Sequence, residues 1–239
     1  MPKILFTHKI KPKHLDVLKR AKFEFADTPF IDVQIKDFDT EKVKEIKSDA
    51  WVFTSKKAVE SIGKKLEELE IPEFVFAVGS STSEKLAELG IKALVPLNFT
   101  SESLAHEIAK HPVKNAIHFC GNLGDSELGD LLQKDGCQVK KLEVYETLLT
   151  PSSVSLSEFD AVVFLSPSAF NSFCKTNDPG KLKTVFCIGS TTAEAVKKSY
   201  ERLIVTPDNF TFADLVETIN QKYKNLEILS KYKNFIIQF

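Results

Sequence analysis

The chain has 239 residues, of which 43% are hydrophobic and 27% are charged, and its formal net charge at pH 7 is −1. This composition is typical of a globular protein with a packed core, and the length suits two modest domains. A net charge near zero gives no broad basic surface for nucleic acid or for an anionic membrane. No apolar stretch approaches the length of a membrane span, and the N-terminus enters a strand-like run directly, so we expect a cytoplasmic protein.

The predicted elements alternate between strands and helices along the chain. In order they are strand 3–7, helix 14–20, strands 23–25 and 30–35, a short helix capped by Thr40, strand 50–54, helix 58–69, strand 74–78, helix 83–89, strand 91–95, helix 100–109, strand 116–120, a helix ending at Lys134, and strand 139–149. The strands are apolar throughout rather than at every second residue, which predicts parallel sheets covered by helices on both faces. We expect the Lys-rich last helix and the NFIIQF tail to pack on their own domain.

An internal repeat accounts for the second part of the chain. DAWVFTSKKAVESI from Asp49 matches DAVVFLSPSAFNSF from Asp160, and VFAVGSSTSEKLAE from Val75 matches VFCIGSTTAEAVKK from Val185 at nearly the same offset. Matched blocks in one order predict the duplication of one supersecondary unit. Taken alone, the repeat places a tandem boundary near residue 112.

Four hydroxyl-rich turns follow apolar strands and precede helices, two in each half of the chain. They contain Ser55, then Gly79, Ser80, Ser81 and Thr82, then Ser166 and Ser168, then Gly189, Ser190, Thr191 and Thr192. Each turn taken alone is typical of a helix N-cap. Together, at the carboxyl ends of parallel strands, they predict a cleft lined with neutral donors that suits an elongated ligand with several carboxylates.

Other common sites are disfavoured by the motifs. The chain has neither a P-loop nor a dinucleotide-binding glycine motif nor a GxSxG elbow, and its cysteines and histidines lack the spacing of a metal site. The remaining polar candidate is Tyr145, in a predicted strand. It is either a functional phenol or a strand aromatic with its hydroxyl in water.

Five blocks, in this order and spacing, resemble uroporphyrinogen-III synthase over nearly the whole chain. They are VFTSKKAVE from Val52, FAVGSSTSEKLAELG from Phe76, FCGNLGDSELGDLLQKDGCQVKKLEVYET from Phe119, FLSPSAFNSF from Phe164 and FCIGSTTAEAVKK from Phe186. The resemblance implies a carbon–oxygen lyase of haem biosynthesis. Such an enzyme removes the terminal hydroxyl of hydroxymethylbilane as water and closes the ring with the last pyrrole inverted, with no metal and no organic cofactor.

The resemblance also implies an architecture and a set of site residues. It implies two α/β domains with a cleft between them, joined by two crossing segments, so that residues 1–36 plus 149–239 form one domain and residues 37–148 the other. This replaces the tandem boundary. Tyr145 matches the tyrosine thought to assist departure of the hydroxyl. The residues implied to hold acetate and propionate groups are Ser55, Gly79, Ser80, Ser81, Thr82, Gly121, Asn122, Ser166, Ser168, Gly189, Ser190, Thr191 and Thr192.

One position departs from the family pattern. Asp125 lies where many members carry a basic residue, and its charge would repel a carboxylate unless Lys9, Lys56 or Lys57 compensates. Two alternatives therefore stay open beside the enzyme: a two-lobed protein that binds a small anion without reacting with it, and an inactive relative. We expect a monomer whose partner is the small linear tetrapyrrole, with neither nucleic acid nor a membrane.

Overall fold

Two compact units make up the chain in the computed structural model, which describes residues 1–124 and 127–236, with the backbone alone at residue 227 and from 229 to 236. Unit 1 comprises Met1–Asp32 and Leu149–Phe239, and unit 2 comprises Val33–Leu148. Among the described residues, no helix combines the length and the apolar character needed to cross a membrane.

The strands and helices alternate along the chain. The strands are β1 Lys3–Phe6, β2 Glu24–Asp27, β3 Ile31–Ile35, β4 Ala50–Phe53, β5 Phe74–Ala77, β6 Asn115–Gly121, β7 Gln138–Leu149, β8 Ala161–Phe164, β9 Val185–Cys187 and β10 Ile204–Val205. The α-helices are α1 Pro12–Leu18, α2 Thr40–Glu45, α3 Lys56–Gly63, α4 Ser80–Ala87, α5 Ser101–Ile108, α6 Glu127–Lys134, α7 Pro167–Phe173, α8 Ser190–Lys197 and α9 Phe212–Ile236. Short 3-10 helices span Leu66–Glu68, Leu156–Glu158 and Pro179–Lys181.

Each unit contains a five-stranded sheet. The order is β10-β9-β8-β1-β2 in unit 1 and β3-β7-β6-β4-β5 in unit 2. In unit 1, β8 lies in parallel between β1 and β9, and in unit 2 the matching repeat strand β4 lies in parallel between β6 and β5. The repeated segments therefore occupy corresponding places in the two sheets. The predicted fold class, parallel sheets flanked by helices, is confirmed.

Burial on both faces explains why the central strands are apolar throughout. Successive side chains of a strand point to opposite faces of the sheet. In β4, Trp51 and Phe53 enter one hydrophobic cluster of unit 2, while Ala50 and Val52 enter the cluster on the other face. Strand β8 divides in the same way between the two clusters of unit 1. Burying such a side chain contributes about 1.5–3 kcal/mol, so a polar residue in these strands would be costly.

The aspartate that begins each repeat has a structural role in the sheet. Asp49 accepts hydrogen bonds at 2.9 Å from the backbone N–H groups of Lys114 and Asn115, and Asp160 accepts one at 2.9 Å from the backbone N–H of Lys3. These backbone hydrogen bonds are the main reason why the pKa of both carboxyls is lowered. Each aspartate thus fastens the start of the neighbouring strand.

Several predicted boundaries are wrong, among them those of α2, α3 and α4. Asp39 rather than Thr40 caps α2, accepting from the backbone N–H of Glu41 at 3.0 Å, while Thr40 is the first helical residue and its hydroxyl donates to Glu68 at 2.9 Å. The helix predicted over 58–69 ends at Gly63 and gives way to a 3-10 turn. Helix α4 begins at Ser80 rather than Ser83 because Gly79 already occupies the N-cap.

The predicted strand 91–95 is also wrong. This segment contributes one isolated bridge, in which Leu94 pairs with Phe76, rather than a named strand. It enters from Gly90, whose φ of 75° is the left-handed turn expected after a helix, and meets Pro96, which has no N–H to extend a ladder. At the other end of the chain, α9 runs into the predicted NFIIQF tail as far as Ile236, and residues 237–239 lie outside the described residues.

Candidate active site

In each unit the predicted site residues gather where parallel strands end. In unit 2, β4 leads through Ser55 into α3, and β5 leads through Gly79 into α4. In unit 1, β8 leads through Ser166 into α7, and β9 leads through Gly189 into α8. The carboxyl end of a parallel sheet is where α/β proteins place their ligands, because helix N-termini converge there.

The serine turns cap their own helices. The Ser55 hydroxyl accepts a hydrogen bond from the backbone N–H of Lys57 at 3.1 Å, and the Ser166 hydroxyl accepts one from Ala169 at 3.2 Å. Ser166 also lies 3.0 Å from the Ser168 hydroxyl and 3.4 Å from Nε2 of His8. The capping interpretation of the sequence is therefore confirmed for Ser55 and Ser166.

The glycine turns leave their helices without such a cap. Gly79 and Gly189 are the N-cap residues of α4 and α8, and in the described part of the chain no side chain caps either helix. Both glycines are closely packed, because an added Cβ would lie 3.1 Å from Cγ of Phe99 at Gly79 and 3.2 Å from Cγ of Phe210 at Gly189. A helix start without a side-chain cap retains donors that can bind an anion.

The hydroxyls in the first turns of α4 and α8 divide into exposed and buried groups. The exposed side chains are those of Ser80, Ser81, Ser190 and Thr191. Thr82 and Thr192 occupy matching positions, and only 4% and 3% of their surfaces are exposed. The exposed hydroxyls can reach a ligand, whereas the two threonines pack beneath the helix starts.

Tyr145 lies at the same edge of unit 2, in β7. It is half-buried and packs against the core cluster that contains Phe119. Its ring covers Gly121 so closely that an added Cβ there would lie 2.4 Å from Cε2 of Tyr145 and 2.5 Å from Cζ. Within the described residues, no hydrogen bond is made by the Tyr145 hydroxyl. The phenol is therefore held by its ring and has an available O–H.

His118 lies beneath this edge and was not distinguished by sequence. It interrupts the apolar run of β6, is 2% exposed, and has Nε2 2.9 Å from the hydroxyl of Thr54, while Nδ1 has no hydrogen-bond partner among the described residues. Burial, with a smaller contribution from Lys141, lowers the pKa of His118 to about 4. Burial and then Lys11 likewise lower the pKa of His8 to about 4. Both imidazoles are neutral at pH 7. His118 could have been recognised from the sequence, because a histidine inside an apolar strand run is unusual.

The three lysines that could compensate for the negative charge of Asp125 differ in pairing and exposure. Lys57 pairs with Glu60 at 2.5 Å, while Lys9 and Lys56 are exposed. Asp125 itself lies outside the described residues. Across residues 1–124 and 127–236, no cluster of three His, Cys, Asp or Glu side chains could hold a metal ion.

The fold and the site together define a class. It is an α/β protein of two repeated parallel-sheet units, and the ends of its strands carry hydroxyl-rich turns at helix starts and the Tyr145 phenol. The family model of uroporphyrinogen-III synthase HemD matches residues 15–217. The chain belongs to this family. Its activity is that of a lyase that cyclises a tetrapyrrole in haem biosynthesis.

Solved structures agree with this fold. A mutant uroporphyrinogen III synthase from the extremely thermophilic bacterium Thermus thermophilus is similar over 94% of this chain and 100% of its own, with 16% identity and a TM-score of 0.67. Uroporphyrinogen-III synthetase from Helicobacter pylori is similar over 91% of this chain and 97% of its own, with 20% identity and a TM-score of 0.61. A search of curated proteins found no match.

Proposed function

We propose that the chain converts hydroxymethylbilane into uroporphyrinogen III and that Tyr145 assists the departure of the terminal hydroxyl. The observation that carries this assignment is the Tyr145 phenol, whose ring lies over Gly121 at the carboxyl end of the unit 2 sheet and whose hydroxyl has no partner in the described part of the chain. Family membership supplies the reaction, and the phenol supplies a group that can act in it.

The chemistry needs a proton donor more than a strong base. The phenol donates a hydrogen bond to the hydroxyl oxygen while the C–O bond breaks, and the electron pair of the pyrrole nitrogen takes the place of that bond. The resulting azafulvene is attacked by the substituted carbon of the last pyrrole. Rearrangement of the spiro intermediate and loss of a proton then complete the ring, so that the net change is loss of one water.

The substrate carboxylates are assigned to the uncapped helix starts. The backbone N–H groups at the beginning of α4 and α8 and the exposed hydroxyls of Ser80, Ser81, Ser190 and Thr191 offer neutral donors for acetate and propionate groups. Thr82 and Thr192 support these helix starts from below. Holding the bilane in a folded pose favours attack by the substituted carbon over simple closure.

The remaining expectations belong to the same proposal. The two units are taken to be the two domains, with residues 1–36 plus 149–239 in one and 37–148 in the other, and with the cleft that the family resemblance implies. The division of the chain into units with similar bounds supports this assignment. We also propose that the enzyme acts as a monomer in the cytoplasm without a cofactor.

Product analysis tests the proposed function. Freshly generated hydroxymethylbilane is incubated with and without the protein, and the oxidised products are separated into type I and type III isomers by chromatography. Spontaneous closure gives type I, so we expect a type III product whose amount rises with protein concentration. Type I alone, formed at the background rate, would rule out the activity and leave an anion-binding protein.

A further inference from the structure

The segment that carries Tyr145 is fastened on both sides of this residue. On the N-terminal side, the carbonyl of Val144 accepts hydrogen bonds from the Ser61 hydroxyl at 2.7 Å and from the backbone N–H of Lys36 at 3.0 Å. On the C-terminal side, the Asn122 side chain binds the backbone of Thr147 twice. Its Oδ1 accepts from the Thr147 N–H at 2.8 Å, and its Nδ2 donates to the Thr147 carbonyl at 3.3 Å.

Asn122 continues the sheet beyond the end of β6. Strand β6 ends at Gly121, and the Asn122 amide then binds both backbone groups of a single β7 residue, Thr147, with one donor and one acceptor. Both polar atoms of the Asn122 side chain therefore act on β7, and one N–H of its amide remains beside these two hydrogen bonds.

The register of the two strands changes at the same place. Cys120 pairs with Glu143 but Gly121 pairs with Tyr145, so Val144 has no opposite residue. An extra residue of this kind re-aims the neighbouring side chains, and such irregularities are frequent beside active sites. Here it brings the Tyr145 ring over Gly121, where only a glycine leaves room.

We infer that Asn122 and Gly121 are positioning residues for the Tyr145 phenol: Asn122 fixes the strand that carries the ring, and Gly121 provides the surface on which the ring lies. The inference rests on the proposed function. It assigns to both residues the orientation of the phenol, a role that differs from the substrate binding implied by the family resemblance. Orientation has a large effect on rate, because a misplacement of about 1 Å can cost about 100-fold.

The experiment compares Asn122→Ala with Asn177→Ala. Asn177 is a matched control in unit 1, where its amide also binds a backbone segment twice, accepting from the Val154 N–H at 3.0 Å and donating to the Ser152 carbonyl at 2.7 Å. Asn177 Nδ2 also lies 3.1 Å from both the Phe173 carbonyl and the Thr176 hydroxyl, so the control variant loses at least as many hydrogen bonds as Asn122→Ala. We expect Asn122→Ala to lower kcat for type III formation about tenfold or more with little change in KM. Asn177→Ala should retain kcat.

A spectroscopic signal separates orientation from stability. The Tyr145 ring lies against the Cα of Gly121, so its ring current should shift the Gly121 Hα resonance in an NMR spectrum. We expect Asn122→Ala to move this resonance toward its ordinary position and Asn177→Ala to leave it unchanged. Asn122→Asp retains the acceptor for the Thr147 N–H and should recover part of both the shift and kcat.

Gly121→Ala tests the other half of the inference without touching the Asn122 amide. We expect it to displace the ring and to lower kcat, whereas Gly129→Ala is the control, because an added Cβ at Gly129 meets only Cε of Lys141 at 3.8 Å. Unchanged kcat and an unchanged Gly121 resonance in Asn122→Ala would overturn the inference. If the wild-type protein forms no type III product, the proposed function fails, and the resonance still decides whether Asn122 positions the ring.

Discussion

Tyr145→Phe is expected to lower kcat for type III formation by about 100-fold or more, which is the usual contribution of a positioned proton donor. The ring of phenylalanine still fits over Gly121 and against the unit 2 core, so the fold and the substrate site should be retained. Because the lost hydrogen bond forms as the C–O bond breaks, KM should change little. Steady-state kinetics with isomer analysis of the product measure this effect.

Tyr200→Phe is the control for loss of a phenol. Tyr200 is 3% exposed in unit 1, and its hydroxyl donates to the Lys183 carbonyl at 3.3 Å, so this variant loses a structural hydrogen bond away from the candidate site. We expect it to keep kcat with a small loss of stability. Equal kcat values for the wild-type protein and Tyr145→Phe would remove Tyr145 from the mechanism.

Acidification is expected to destabilise unit 2 through His118. The pKa of this histidine is about 4 in the folded protein and about 6.5 in an unfolded chain, so folding favours the neutral imidazole. A lowered pKa means that the contribution is fully present above pH 6.5 and is lost as the pH falls from 6.5 toward 4. The loss over this range is about 3 kcal/mol in the free energy of unfolding.

Denaturant unfolding at pH 7.5 and pH 5.0 measures the part of this loss that falls above pH 5, about 2 kcal/mol. Trp51, the single tryptophan of the chain, is 1% exposed in unit 2 and reports its unfolding by fluorescence. His118→Phe should show a smaller decrease between the two pH values than the wild-type protein. His106→Ala, which changes an exposed histidine of α5, should decrease as the wild type does. An equally steep decrease in His118→Phe would contradict the assignment.

The sheets could be predicted because their strands are apolar on both faces. The runs AWVF and AVVF are wholly buried, and the repeat placed β4 and β8 at corresponding positions. Local competition between neighbouring groups was harder to predict. The sequence does not show that Asp39 rather than Thr40 caps α2, because the outcome depends on backbone geometry at the helix start. The segment ending at Leu94 looks strand-like, yet it forms one bridge.

The site was predictable as a set of turns but not as a set of contacts. The sequence predicted Ser80 and Ser190 in turns between strands and helices, and both are exposed residues that begin α4 and α8. It could not show that Thr82 and Thr192, two residues further on, turn inward, because that depends on the direction from which the helix meets the sheet. The contact of Asn122 with Thr147 joins two segments through the register of the sheet, and no local pattern contains it.

The most direct test of the central claim varies the acidity of one phenol. Fluorinated tyrosines of increasing acidity are incorporated at position 145, and single-turnover formation of the type III isomer is measured at a pH below the phenol pKa of each variant. Because a hydrogen-bond donor stabilises the departing oxygen more strongly as it becomes more acidic, the rate should rise along the series. A rate that stays constant or falls along the series would contradict a role for the Tyr145 hydroxyl in the loss of water.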